Sequence, residues 1–252
     1  MNAKAFVLAA ACAIALAACG EDEVRVVEVM TPDWRAISAW PTVEVATADP
    51  AGGVRPDTLA ATPDPNHVTT VVLLDDSGSM GGQMDGAKEA VARAVQALDS
   101  AGSVSVIALN RGELLPVTPV AEAQRVIGSR LTAVYADGGT PLGRRLRDAR
   151  RAIEADATAR RGYGRYRIVV VTDGNASDGE VLVREVRRIV QRTPVQISTI
   201  GLGIGEGHIL NQPGHVSYTS VDDVAALEQA LTRAIAEEAT FDPITSFDGS
   251  DS

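Results

Sequence analysis

The sequence predicts an α/β protein built on a doubly wound, mostly parallel central sheet with helices on both faces. Three observations carry this expectation. Strand-type and helix-type patterns alternate from residue 68 onward, which favours parallel strands joined by crossover helices. Two of the strands are continuous apolar runs, Val71-Val72-Leu73-Leu74 and Ile168-Val169-Val170-Val171, as suits strands covered on both faces. Both runs stop abruptly at acids on glycine-containing turns, Asp75-Asp76-Ser77-Gly78-Ser79 and Thr172-Asp173-Gly174. An open α/β sheet places its ligands at such strand ends.

Length and composition narrow the choices. The chain has 252 residues, enough for one sizeable α/β domain and a smaller segment. A formal net charge of −10 argues against nucleic acid held by general electrostatics. Both cysteines, Cys12 and Cys19, fall in an N-terminal apolar segment, so the folded part has no disulfide framework.

The first residues read as a targeting segment. Met1 to Lys4 is short and basic, and residues 5–18 are apolar and alanine-rich. That run is too short to span a bilayer comfortably, and Glu21, Asp22 and Glu23 follow at once. Leu16-Ala17-Ala18-Cys19 resembles the bacterial lipobox. The resemblance implies acylation of Cys19, which becomes the new N-terminus and anchors the chain to a membrane. Several acyl chains anchor stably where one binds only marginally. The simpler alternative is an ordinary signal peptide cleaved near Ala17. Gly20 stands where an inner-membrane retention signal usually places Asp, which points to the outer membrane.

Residues 20–66 are rich in Pro, Asp, Thr and Ala and show no helical period. They read as a spacer that can carry short strands around residues 24–29 and 42–45. Trp34 and Trp40 are its unusual feature, and docking on the domain is the expected use of both.

Each later element has its own signal. Met84, Ala87, Val91, Ala94, Val95 and Leu98 line one face of a helix over residues 83–99. Residues 103–109 are a strand, 114–117 a short edge strand and 121–127 a short helix. A helix follows at 142–156, a buried strand at 166–172 and a helix at 180–192 with Val183, Val186, Ile189 and Val190 facing in. Residues 195–200 and 216–218 are strands, and 222–239 form the closing helix. The expected organisation is a signal peptide at 1–19, the spacer at 20–66, the α/β domain at 67–239 and an acidic tail at 240–252.

Three signals now stand in order: Asp75-x-Ser77-x-Ser79 at a strand end, the loop Gly138-Gly139-Thr140 opening a helix, and the strand ending Thr172-Asp173-Gly174. Together they resemble the von Willebrand factor type A (vWA) family and its metal-ion-dependent adhesion site, over residues 68–239. The resemblance implies a metal held by Asp75, Ser77, Ser79, Thr140 and Asp173. In the family the serines and the threonine bind directly or through water, and at least one aspartate acts through water. One coordination position stays open for a carboxylate from a partner protein.

The residue types support that chemistry by themselves. All five side chains present oxygen, which selects a hard cation, Mg²⁺ or else Ca²⁺ or Mn²⁺. Zinc would want His or Cys, and His208 and His215 lie on other loops. Asp76, Asp137 and Asp178 flank the motifs as solvated acids that can deepen the negative potential. Nine arginines fall between residues 144 and 167, with Arg144, Arg147 and Arg151 on one helix face. Their alternatives are a solvated face or contact with anionic headgroups or an acidic partner. His67, His208 and His215 read as isolated.

The expectation is therefore a lipid-anchored, extracytoplasmic domain, in the periplasm or at the cell surface, that binds a protein partner through a divalent cation. It is not expected to be an enzyme. A structural envelope protein with a stabilising or vestigial metal site is the alternative. An Mg²⁺-dependent aspartyl phosphotransferase fits less well, because Ser77 stands where that chemistry's family has a second Asp. No Gly-x-Ser-x-Gly elbow and no phosphate-binding Gly-Lys-Ser/Thr loop occurs.

Overall fold

The computed structural model describes residues 30–41 and 64–236. Cys19, the proposed strands at 24–29 and 42–45, the end of the closing helix at 237–239 and the acidic tail lie outside the described residues. The strands are β1 Val68–Leu74, β2 Ser103–Ala108, β3 Gly112–Pro119, β4 Arg165–Thr172, β5 Gln196–Leu202 and β6 Ser217–Val221. They form one six-stranded sheet in the order β3-β2-β1-β4-β5-β6. Every neighbouring pair is parallel except β2 with β3.

The helices are α1 Trp34–Ser38, α2 Met84–Ala97, α3 Val120–Leu131, α4 Leu142–Ala159, α5 Gly179–Arg192 and α6 Val224–Ala236. Successive strand residues point to opposite faces, so the apolar runs feed two cores. Val72, Leu74, Val169, Val171 and Ile200 pack with α2, α3 and α6. Val71, Leu73, Ile168, Val170 and Ile197 pack with α4 and α5. β1 and β4 are the middle strands, and burying one of their Val or Leu side chains contributes roughly 1.5–3 kcal/mol. Among the described residues no helix is long and apolar enough to cross a membrane.

Several expectations need correcting. The edge strand β3 spans Gly112–Pro119 rather than 114–117 and runs antiparallel to β2. Its prolines are tolerated because one side of an edge strand needs no donor. α3 runs on to Leu131, four residues past the expected end, because Leu131 joins Ile127 in the core. Val183 does not face in: it is 41% exposed, and Leu182 and the paired Glu185 take the inner positions.

The expected spacer also contributes to the folded body. Met30 is buried beside Leu182, Val186 and Ile209. Asp33 accepts from the backbone N–H groups of Arg35 and Ala36, each at 3.1 Å, and so caps α1. The Asp33 N–H donates to Gln191 O at the end of α5, 2.8 Å away. Trp40 docks as expected, edge-on to Tyr166 with ring centroids 5.0 Å apart. Trp34 does not dock; it is 72% exposed.

The strand order positions the site. The chain moves outward from β1 to β2 and β3, then crosses back to lay β4 on the other side of β1. The loops after β1 and β4 therefore part in opposite directions and leave a crevice at the carboxyl edge.

Candidate metal centre

Three loops meet in that crevice. The first follows β1, where Asp75 and Asp76 are fully buried and Ser77 nearly so. A short 3₁₀ turn, Gly78–Gly82, then leads into α2. The second loop carries Gly138, Gly139 and Thr140 into α4, and the third carries Asp173 and Gly174 after β4.

Backbone bonds lock the loops together. The Gly78 N–H donates to Gly138 O at 3.1 Å, and the Asp137 N–H donates to Asp76 O at 2.8 Å. The Ser177 N–H donates to Thr140 O at 2.8 Å, which joins the second loop to the third. Gly138 has φ +79°, and an added Cβ would sit 2.6 Å from Asn110 Oδ1. Only glycine fits there without strain.

The side chains then converge. Ser77 Oγ lies 3.0 Å from Ser79 Oγ, and Ser79 Oγ donates to Asp173 Oδ1 at 2.8 Å. Asp75 sits behind them. Its Oδ1 accepts from the Ser77 N–H at 2.9 Å and its Oδ2 from Thr172 Oγ1 at 2.6 Å. Burial pushes the Asp75 carboxyl above the ordinary carboxylate range, Asp173 raises it further, and the Thr172 and Ser77 bonds oppose both. Thr140 is buried at the same edge.

This donor set fits a small hard cation. Adjacent oxygens around an octahedral Mg²⁺ at 2.0–2.1 Å lie about 2.9 Å apart, and the Ser77–Ser79 and Ser79–Asp173 oxygens are 3.0 and 2.8 Å apart. Two acids and three hydroxyls supply the donors. Among the described residues no three His, Cys, Asp or Glu side chains converge as a metal cluster. Asp75 has both oxygens engaged, which suits orientation of the first loop or contact through water better than direct ligation.

The flanking acids are not the solvated group expected. Asp76 is neutralised by Arg111 Nη1 at 2.9 Å and also accepts from the Asn110 N–H at 2.7 Å. Asp178 caps α4, accepting from the Gly143 and Arg144 N–H groups at 2.8 and 2.9 Å. Asp137 alone is exposed. His208 is not isolated either. Its Nδ1 accepts from the Leu210 N–H at 3.2 Å, so Nε2 carries the proton and donates to Gly174 O at 3.1 Å.

Sequence reasoning missed Thr172, Asn110, Arg111 and His208. The first lies inside the Thr-Asp-Gly signal, and Asn110-Arg111 directly follows β2 at the same sheet edge. Either position could have been flagged from topology.

The family model for the von Willebrand factor type A domain matches residues 70–175, which hold all three loops. The chain carries a vWA domain. Among solved structures it is similar to a von Willebrand factor type A protein from Catenulispora acidiphila, at 19% identity over 69% of this chain, TM-score 0.56. It is also similar to the pilus adhesin SpaC from Lactobacillus rhamnosus GG, at 14% identity over 68% of this chain, TM-score 0.53. A third is the manganese-loaded TRAP protein of Plasmodium vivax, at 16% identity over 68% of this chain and 74% of that one, TM-score 0.50. The matches span 44% of the first of these proteins and 30% of the second, and at such identities the likeness concerns the vWA fold. No curated protein matches the chain.

Proposed function

We propose that this vWA domain binds a protein partner through a divalent cation held at Ser77, Ser79 and Asp173, with Thr140 and Asp75 completing the site. The observation that carries this reading is the spacing of the Ser77, Ser79 and Asp173 oxygens, 3.0 and 2.8 Å apart at the mouth of the crevice, where Asp173 has no ion-pair partner among the described residues. A divalent cation would be held by the Ser77 and Ser79 hydroxyls and Asp173, and would supply an electrophilic contact for a partner's oxygen donor. Asp75 fixes the first loop through Ser77 and Thr172, and Thr140 is held by the third loop through the Ser177 N–H. Neighbours named as a pilus adhesin and as a manganese-loaded protein support adhesion and a divalent metal. Mg²⁺ is the preferred ion, with Ca²⁺ and Mn²⁺ as alternatives.

The partner supplies one Asp or Glu from an otherwise neutral or basic patch, and the domain has no catalytic role. The chain is anchored at Cys19 by acyl groups, outside the cytoplasm. Affinity capture from envelope extract, with wild type and Asp75→Ala, tests the binding. Capture should require metal and fail for Asp75→Ala; equal capture in EDTA would overturn it. For the anchor, Cys19→Ser should leave the membrane fraction or stay unprocessed, and normal processing with membrane retention would contradict acylation.

A further inference from the structure

The docking of residues 30–41 bears on how the domain can sit above a membrane. Eleven peptide steps separate Cys19 from Met30. However that stretch is folded, it spans at most about 40 Å. Were the leash to run unbroken to the start of β1, its limit would be roughly 170 Å. Met30 is seated against α5, at Leu182 and Val186, so α5 is the part of the domain that the leash holds closest to the lipid.

The surface beside that attachment is basic and carries an exposed tryptophan. α5 lies between α1 on one side and α4 on the other. Trp34 and Arg35 are exposed on α1, Arg184, Arg188 and Arg192 on α5, and Arg151 on α4. The acids nearby are mostly committed. Asp33 caps α1, Glu185 and Glu154 are held by Arg150, and Asp178 caps α4. Exposed Glu180 approaches Arg184 at 3.7 Å. Arg35, Arg151, Arg188 and Arg192 have no ion-pair partner among the described residues. The chain as a whole is strongly acidic, at −10, and this face presents a cluster of positive charge that an anionic surface would attract.

We propose that the face formed by α1, the outward side of α5 and the adjoining ridge of α4 lies on an anionic lipid surface, with Trp34 at the level of the headgroups. Tryptophan suits that level because its ring is amphipathic. Arginines around it add electrostatic attraction. The proposal rests on acylation of Cys19 and is independent of the metal centre. It gives the domain a fixed tilt, with the short leash and the basic face acting at the same place.

Trp34 and Trp40 are the two tryptophans of the chain, which makes a direct test available. The acylated full chain is reconstituted, in EDTA, into phosphatidylcholine vesicles with or without phosphatidylglycerol and with brominated acyl chains. Tryptophan emission should be quenched by the brominated lipid and shielded from acrylamide only when phosphatidylglycerol is present. Trp34→Phe should remove that response, because Trp40 is packed on Tyr166. Each arginine near an anionic surface is worth roughly a factor of five in the docked-to-undocked ratio, so R184Q/R188Q/R192Q should largely abolish docking, as should high salt. A chain that floats with the vesicles while Trp34 stays open to acrylamide overturns the docking alone. A chain with no acyl group at Cys19 that does not float overturns the anchor and the docking with it. Shielding of Trp34 by envelope proteins but not by anionic vesicles assigns the face to a protein and also overturns the proposal.

Discussion

Between α4 and α5, Arg150 is buried against Glu185 and also pairs with Glu154, so its charge is answered inside the protein. At the carboxyl edge of the sheet, Asp75 is equally buried, yet its partners are a hydroxyl and a backbone N–H. Its companion acid, Asp173, is bonded to Ser79. Neither has an ion-pair partner among the described residues. Asp76, the next residue along, has Arg111. The contrast separates two uses of buried charge. A network that closes on itself fastens helices, whereas acids left with neutral donors at preset oxygen spacings are what the proposed cation site requires.

The largest expected effect lies in the closed network. Arg150→Met leaves Glu185 buried without its partner and should cost about 3–5 kcal/mol in urea unfolding, with or without Mg²⁺. Adding Glu185→Met should restore much of that loss. A single variant as stable as wild type would remove the distinction between the two regions.

At the open site the expected response depends on metal. Asp75→Asn should unfold within about 1 kcal/mol of wild type in EDTA, because it removes a buried charge that nothing balances. With Mg²⁺ at about a hundred times Kd, wild type should gain roughly 2.7 kcal/mol and the variant far less. Thermal melts of both proteins in each condition check this. An equal gain in both would take Asp75 out of the site.

A smaller effect is expected for Thr140→Ala. It removes one hydroxyl and leaves the backbone bonds of Thr140 to Ser177 and Leu142 intact. The metal-induced shift in melting should shrink while stability in EDTA changes by about 1 kcal/mol or less. A large loss in EDTA would mean that Thr140 serves the fold rather than the metal.

Much of this arrangement was readable from local sequence, and the exceptions have physical causes. β1 and β4 announce themselves because strands buried on both faces must be continuously apolar, and the acids that end them mark the crevice. β3 was drawn too short because an edge strand packs irregularly and this one carries Pro116 and Pro119. The end of α3 was hidden by Gly128 and Ser129, poor helix formers that the core contact of Leu131 overrides. Trp40 signalled that residues 30–41 dock, but where they dock had no local signal: Met30 meets Leu182 and Trp40 meets Tyr166, contacts made across half the chain or more. The roles of Asp76 and Asp178 were misread for the same reason. An acid looks solvated until the residue that pairs with it is known.

Calorimetric titration of the metal-free protein with Mg²⁺ and with Mn²⁺ tests whether the Ser77, Ser79 and Asp173 oxygens form a cation site. Saturable binding of one ion is expected in wild type, lost in Asp173→Ala and weakened in Ser79→Ala. Heats that match buffer dilution for wild type, or binding that survives Asp173→Ala unchanged, would contradict it.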